Sequence, residues 1–219
     1  MKIVTEDLLN SILDSLEQID YVKTEDIPSI DLYMDQVTTF MDTKMKSSAR
    51  HPEEDKILTK TMINNYAKNN LLPPPVKKKY TKEHMLLLIF IYYFKGILSI
   101  GDISKLLEPL TGRFFQEKEG LSLEDIYNEV FSLEKAEVER MKKDVTEKFQ
   151  RAEKTFSNAP EDNQEFLRQF SFICMLSFDV YVKKQIIEKM IDNMGKSNAE
   201  GQPSGKKETR EKNKEKERD

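Results

Sequence analysis

Seven lysines and no aspartate or glutamate occupy the window from Lys56 to Lys82. The window carries +7 in a chain whose net charge is −4, so everything outside it sums to −11. Lysines gathered without counter-charges are chemistry for a polyanion, because an ammonium beside a phosphate releases a condensed counterion. The window is also ordered along its length. A short polar helix signal comes first, then Pro73-Pro74-Pro75, then Lys77-Lys78-Lys79, then the helix start Tyr80-Thr81.

Other chemistry has thin material. His51 lies in a polar loop, and His84 sits in the first turn of a helix signal as a cap or surface residue. They are 33 residues apart with no carboxylates at ligand spacing, a poor catalytic or metal set. Cys174, the one cysteine, falls between Ile173 and Met175 and reads as an inert buried hydrophobe. Tyr92, Tyr93 and Phe94 read as core, and Glu53-Glu54-Asp55 as a solvated loop. No glycine-rich phosphate loop occurs, and Gly96 and Gly101 punctuate helices. The expectation is a protein without enzymatic activity, cofactor or metal. No apolar run reaches the ~18 residues of a membrane span, and the start of the chain lacks a signal-peptide pattern, so the cytoplasm is expected.

The elements that must position the lysines are helical. Glycines are few, charges frequent, and apolar residues recur at three and four with almost no alternation at two. Residues 5–20 make an amphipathic helix on Leu8, Leu9, Ile12, Leu13, Leu16 and Ile19, with Thr5 as its cap. A second helix is expected over about 29–45. After a polar loop, Thr59 caps a short helix over 60–69, with Asn70 as its left-handed C′ residue. Thr81 caps a long helix that Gly96 ends, and Ser99 a short one that stops before Pro109. A long helix is expected over 122–156, and another over 161–194 that is largely buried across 166–182. These two form either a hairpin within the chain or arms that pair with a second subunit. The segment after Gly195 has no apolar run and reads as a disordered charged tail. The expected divisions are 1–26, 27–108, 109–194 and 195–219.

On the 60–69 helix, Met62, Ile63 and Tyr66 fall on one side, and Lys60, Thr61, Asn64, Asn65 and Lys68 on the other. An outward face of amides, a hydroxyl and lysines suits the DNA major groove, where asparagine pairs with adenine and lysines hold phosphates. Lys77, Lys78, Lys79, Tyr80 and Lys82 would then meet the adjacent backbone. The plainer alternative is a solvated helix beside a lysine-rich loop.

The stretch 58–107 resembles the winged helix-turn-helix domain of MerR-type regulators. The matching features are the capped helix with Tyr66, the turn Asn70-Leu71-Leu72-Pro73-Pro74, the basic segment ending in Tyr80, a long helix, and Ser99-Ile100-Gly101-Asp102-Ile103. From about Asp7 to Leu107 the chain is similar to an uncharacterised family of bacterial proteins of unknown function with a MerR-like domain. The resemblance implies an all-α, MerR-like (winged) helix-turn-helix fold followed by long C-terminal helices. It implies double-stranded DNA as partner in transcription regulation, a homodimer through the C-terminal helices, and an effector of unknown identity. The departures are Asn64 where the family carries arginine, Asn70 for glycine, a wing without its Gly-Tyr-Arg insert, and a long loop over 46–57. Two other readings stay open: a protein-interaction adaptor with the same fold, and a small-molecule sensor in the C-terminal helices.

Overall fold

The computed structural model describes residues 5–17, 21–51, 53–117 and 119–200. In chain order these form α1 (Thr5–Glu17), β1 (Leu32–Tyr33), α2 (Met34–Met45), α3 (Lys60–Lys68), β2 (Lys79–Tyr80), α4 (Lys82–Lys95), α5 (Ile100–Phe114), α6 (Leu123–Ser132), α7 (Glu134–Glu153) and α8 (Glu161–Glu200). The fold is all-α apart from the two short strands, which pair antiparallel with Leu32 opposite Tyr80 and Tyr33 opposite Lys79.

Local chemistry starts most helices where the sequence signals them. The Thr59 hydroxyl accepts from the Met62 N–H at 3.2 Å, and Ser99 from Asp102 at 3.1 Å. Ser122 accepts from the Asp125 N–H at 3.1 Å, and Asp125 accepts in return from the Ser122 N–H at 3.0 Å. Each satisfies donors that a helix start leaves unpaired. The α2 helix begins at Met34 rather than near Ser29, because residues 32–33 are committed to β2. Its first free donor, the Tyr33 N–H, reaches the Gln36 side chain at 2.9 Å. The α5 helix does not stop before Pro109 but runs through it to Phe114. Proline there removes one N–H, a cost that tertiary packing of Ile103 and Leu107 offsets.

Two hydrophobic clusters organise these elements. The first is built around α4, every residue of which from His84 to Ile91 is buried. Around it lie Val37, Met41 and Met45 of α2, Ile63 and Tyr66 of α3, Ile103 and Leu107 of α5, and Leu123, Tyr127 and Phe131 of α6. The Tyr127 hydroxyl crosses this core to donate to the Val22 carbonyl at 2.6 Å. The cluster therefore continues past residue 108 through α6. The second cluster joins Val145, Phe149 and Ala152 of α7, Phe172 of α8, and Leu9, Ile12, Leu13 and Leu16 of α1. The expected stripe of α1 thus packs on the C-terminal helices, while Ile19 lies outside the described residues.

The expected 122–156 helix is two helices. Leu133 separates them, its N–H bonding back to the Val130 carbonyl at 3.4 Å in a tight last turn. The reason is a change of partner: α6 serves the first cluster and α7 the second. α7 and α8 form an intrachain hairpin, with Phe149 edge-on to Phe172 at 5.4 Å and Lys148 bonded to Asp179 at 2.6 Å.

The expected burial of residues 166–182 is not met. Phe172 is buried, but Phe166, Phe170, Ile173, Phe178 and Tyr181 are exposed, and so is Cys174. The α7 partner covers only one side of a segment that is apolar on most sides. The helix also continues past Gly195 to Glu200, where a disordered tail was expected to begin; residues 201–219 lie outside the described residues.

Candidate nucleic-acid interface

The α3 helix presents the face its pattern predicts. Ile63 and Tyr66 are buried and Met62 half-buried, while Lys60, Thr61, Asn64, Asn65 and Lys68 are exposed. Its far end is a Schellman turn. Asn70 takes the left-handed conformation at φ 59°, the Leu71 N–H returns to the Tyr66 carbonyl at 2.9 Å, and the Asn70 N–H to Ala67 at 3.3 Å. This turn drives Leu71 and Leu72 into the core and sends the prolines outward along an extended path.

Those prolines lead into a hairpin of minimum length. Val76 and Lys79 exchange both backbone hydrogen bonds, at 2.9 and 3.1 Å, so the loop between them is Lys77-Lys78 alone. Both loop residues have positive φ, 50° and 64°, the mark of a type I′ turn. That turn favours Asn-Gly, and a residue with a Cβ pays roughly 1–2 kcal/mol for the left-handed region. The hairpin tip therefore places two ammonium groups in solvent at a conformational cost. β2 is the far arm of this hairpin, and its pairing with β1 anchors the tip to the start of α2.

The lysine window is less uniform than its sequence. Lys60 is ion-paired with Asp35 of α2, and Lys82 with Glu124 of α6 at 2.7 Å. Lys79 lies over the Tyr33 ring, 5.3 Å from its centroid. Two residues expected at the DNA backbone are placed differently from the rest. Lys82 is half-buried with its charge already matched, and Tyr80 is buried beneath the hairpin, its ring edge-on to His84 at 5.5 Å. Burial also raises the Tyr80 hydroxyl pKa. Lys56, Lys68, Lys77 and Lys78 remain exposed, and among the described residues no carboxylate lies within ion-pair distance of them. Asp35 and Glu124 are the side chains that the sequence pattern did not reveal. Asp35 lies in the first turn of α2, well before Lys60 in sequence, and Glu124 is 42 residues from its lysine.

His84 is a cap and not a surface residue. Its Nδ1 accepts the Thr81 N–H at 3.0 Å, and the ring is fully buried, edge-on to Phe115 at 4.9 Å. That geometry fixes the neutral form with its proton on Nε2, which is buried without a hydrogen-bond partner. Burial lowers the His84 pKa; the nearby carbonyls of Pro74 and Pro73 and the charge of Asp31 oppose it less strongly. The histidine thus belongs to the buried junction where the hairpin enters α4.

Among the described residues, no group of three or more His, Cys, Asp or Glu side chains could hold a metal ion. No described helix is long and apolar enough to cross a membrane.

No curated protein matches the chain in a sequence comparison. No solved structure matches it either. Residues 22–130, from the start of the first cluster to near the end of α6, match the family described as "Domain of unknown function (DUF1836)". The body that carries α3 and the lysine hairpin is a DUF1836 domain.

Proposed function

We propose that this domain is a MerR-like winged helix-turn-helix that binds double-stranded DNA in transcription regulation. In this reading α3 enters the major groove with Lys60, Thr61, Asn64, Asn65 and Lys68, and the Lys77-Lys78 tip acts as the wing against the flanking phosphates. The observation that supports it is the hairpin tip: two unpaired lysines held in left-handed conformations beside a polar helix face free of exposed carboxylates of its own. Strain of that kind points to a use for the side chains. Asn64 and Asn65 are the groups able to read adenine, whereas Lys68, Lys77 and Lys78 would contact phosphate.

A salt titration of binding to a random-sequence duplex tests the proposal. Log affinity should fall linearly with log salt, with a slope near −0.9 per phosphate neutralised, hence about −3 for Lys68, Lys77 and Lys78. Replacing Lys77, Lys78 and Lys79 together by glutamine should flatten the slope by at least half. Binding that survives this change, or that is confined to an acidic protein partner, sinks the DNA reading and leaves the adaptor.

A further inference from the structure

Lys60 opens α3, and its ammonium is bonded to the carboxylate of Asp35 in the first turn of α2. Both side chains stand largely in solvent, 59% and 76% exposed. A pair so exposed contributes little to stability, so the fold does not need it. Nor does α3 need Lys60. The cap of that helix is the Thr59 hydroxyl, and a cation in a first turn faces the positive end of the helix dipole. Asp35 is itself firmly placed. The Thr38 and Thr39 hydroxyls donate to its carbonyl at 3.0 and 2.9 Å, and Tyr33, two residues earlier, pairs with Lys79 of the hairpin. The junction of β1 and α2 therefore touches both halves of the candidate interface, Tyr33 at Lys79 and Asp35 at Lys60.

A carboxylate at the edge of a surface for a polyanion is unfavourable, since like charges across an interface repel. Its presence calls for a use, and repulsive elements are how binding sites reject wrong partners. We infer that Asp35 is a specificity-determining residue of the DNA site, whose carboxylate withholds the Lys60 ammonium from phosphate. The inference rests on the DNA reading and adds to it the residue that limits binding to arbitrary sequence.

Non-specific binding is phosphate binding, and each lysine that reaches a phosphate adds about 0.9 to the salt slope. With Lys60 held by Asp35, that attraction falls to Lys68, Lys77 and Lys78, and breaking the pair offsets what one more phosphate contact would return. A base edge is different. The first residues of a recognition helix face base edges, and a lysine on guanine O6 and N7 makes a contact stronger than an exposed ion pair. Lys60 thus passes from Asp35 to guanine at a matching sequence and stays with Asp35 elsewhere.

The random-sequence duplex titration tests this on wild type, Asp35→Asn, Lys60→Gln and the double variant. Wild type should bind with a slope near −3. Asp35→Asn should bind about 5-fold more tightly at 0.15 M salt, with a slope near −4. Lys60→Gln should keep the slope near −3, and the double variant should lose the gain. In a selection from the same library, wild type should enrich a guanine that Lys60→Gln does not. Helicity should be the same in all four, because both side chains are exposed. An Asp35→Asn slope equal to that of wild type overturns the inference and leaves the DNA reading in place. So does a gain that persists in the double variant, which makes Asp35 a general repelling charge, or a guanine preference indifferent to Lys60. Absence of duplex binding by all four proteins overturns the DNA reading and this inference with it.

Discussion

The two-lysine turn permits a test in which stability and binding should move in opposite directions. Lys77→Asn with Lys78→Gly installs the residue pair that a type I′ turn favours, while removing both ammonium groups from the tip. Glycine at position 78 relieves about 1–2 kcal/mol of left-handed strain and returns about 0.5–1 kcal/mol in unfolded-state entropy; asparagine at 77 adds a few tenths. The net gain is about 1 kcal/mol, which for a chain of this size raises Tm by about 2–4 °C. Each phosphate contact at 0.15 M salt contributes a factor of about 5 through counterion release, from a slope of 0.9 per contact. Losing two contacts should therefore weaken duplex binding about 30-fold, or about 2 kcal/mol, and reduce the salt slope by about 1.8. Calorimetry and fluorescence anisotropy on the same preparation read the two effects. A variant that is more stable and binds duplex unchanged refutes the wing contact. A variant that is less stable refutes the turn assignment.

Three further outcomes follow from the core. His84 has its pKa lowered by burial, so the folded state stays neutral while the unfolded chain takes up a proton below its ordinary value of 6.5. Stability should be full above that pH and decline as pH falls beneath it, by at most about 1.4 kcal/mol per pH unit, and His84→Gln should flatten the decline in urea unfolding. Asn70→Gly should be neutral or slightly stabilising, whereas Asn70→Val should cost about 1–2 kcal/mol, because the Schellman turn demands positive φ. Tyr127→Phe should cost about 1–3 kcal/mol by leaving the buried Val22 carbonyl unmet, which thermal unfolding reads.

Local chemistry was legible in the sequence wherever one residue could satisfy a backbone group nearby. Thr59 and Ser99 cap as their spacing indicates, and Asn70 turns left-handed because the helix ends there. Tertiary partners were not legible in the same way. The stripe over 122–156 has a steady helical period, yet the helix breaks at Leu133 because its two halves face different clusters, which periodicity does not encode. Lys82 and Tyr80 look like members of a basic segment, but Glu124 claims one and the core the other. For α8, apolarity on most sides suggests a largely buried helix, and Phe166, Phe170 and Ile173 are instead exposed. Apolarity does not encode which side a neighbour reaches, and α7 reaches the Phe172 side. The exposed polar face of α3 was readable because amphipathicity is a property of the helix alone.

Among the described residues, the long α8 helix is the one element with a residue in each cluster, Phe172 in the second and Ile191 in the first. Between them, every residue from 180 to 186 is exposed, so the helix crosses this span as a bare rod. Its azimuth is then a stored quantity. Each residue of an α-helix turns the chain by about 100° and advances it about 1.5 Å, so the number of residues in the span sets the angle between the Phe172 and Ile191 side chains. A single inserted residue after Lys183 would turn Ile191 by more than a quarter turn relative to Phe172 and set the α8 seat in the first cluster against the α6–α7 junction at Leu133. The length of that exposed stretch, rather than any side chain in it, fixes the phase at which α8 presents Phe172 to one cluster and Ile191 to the other.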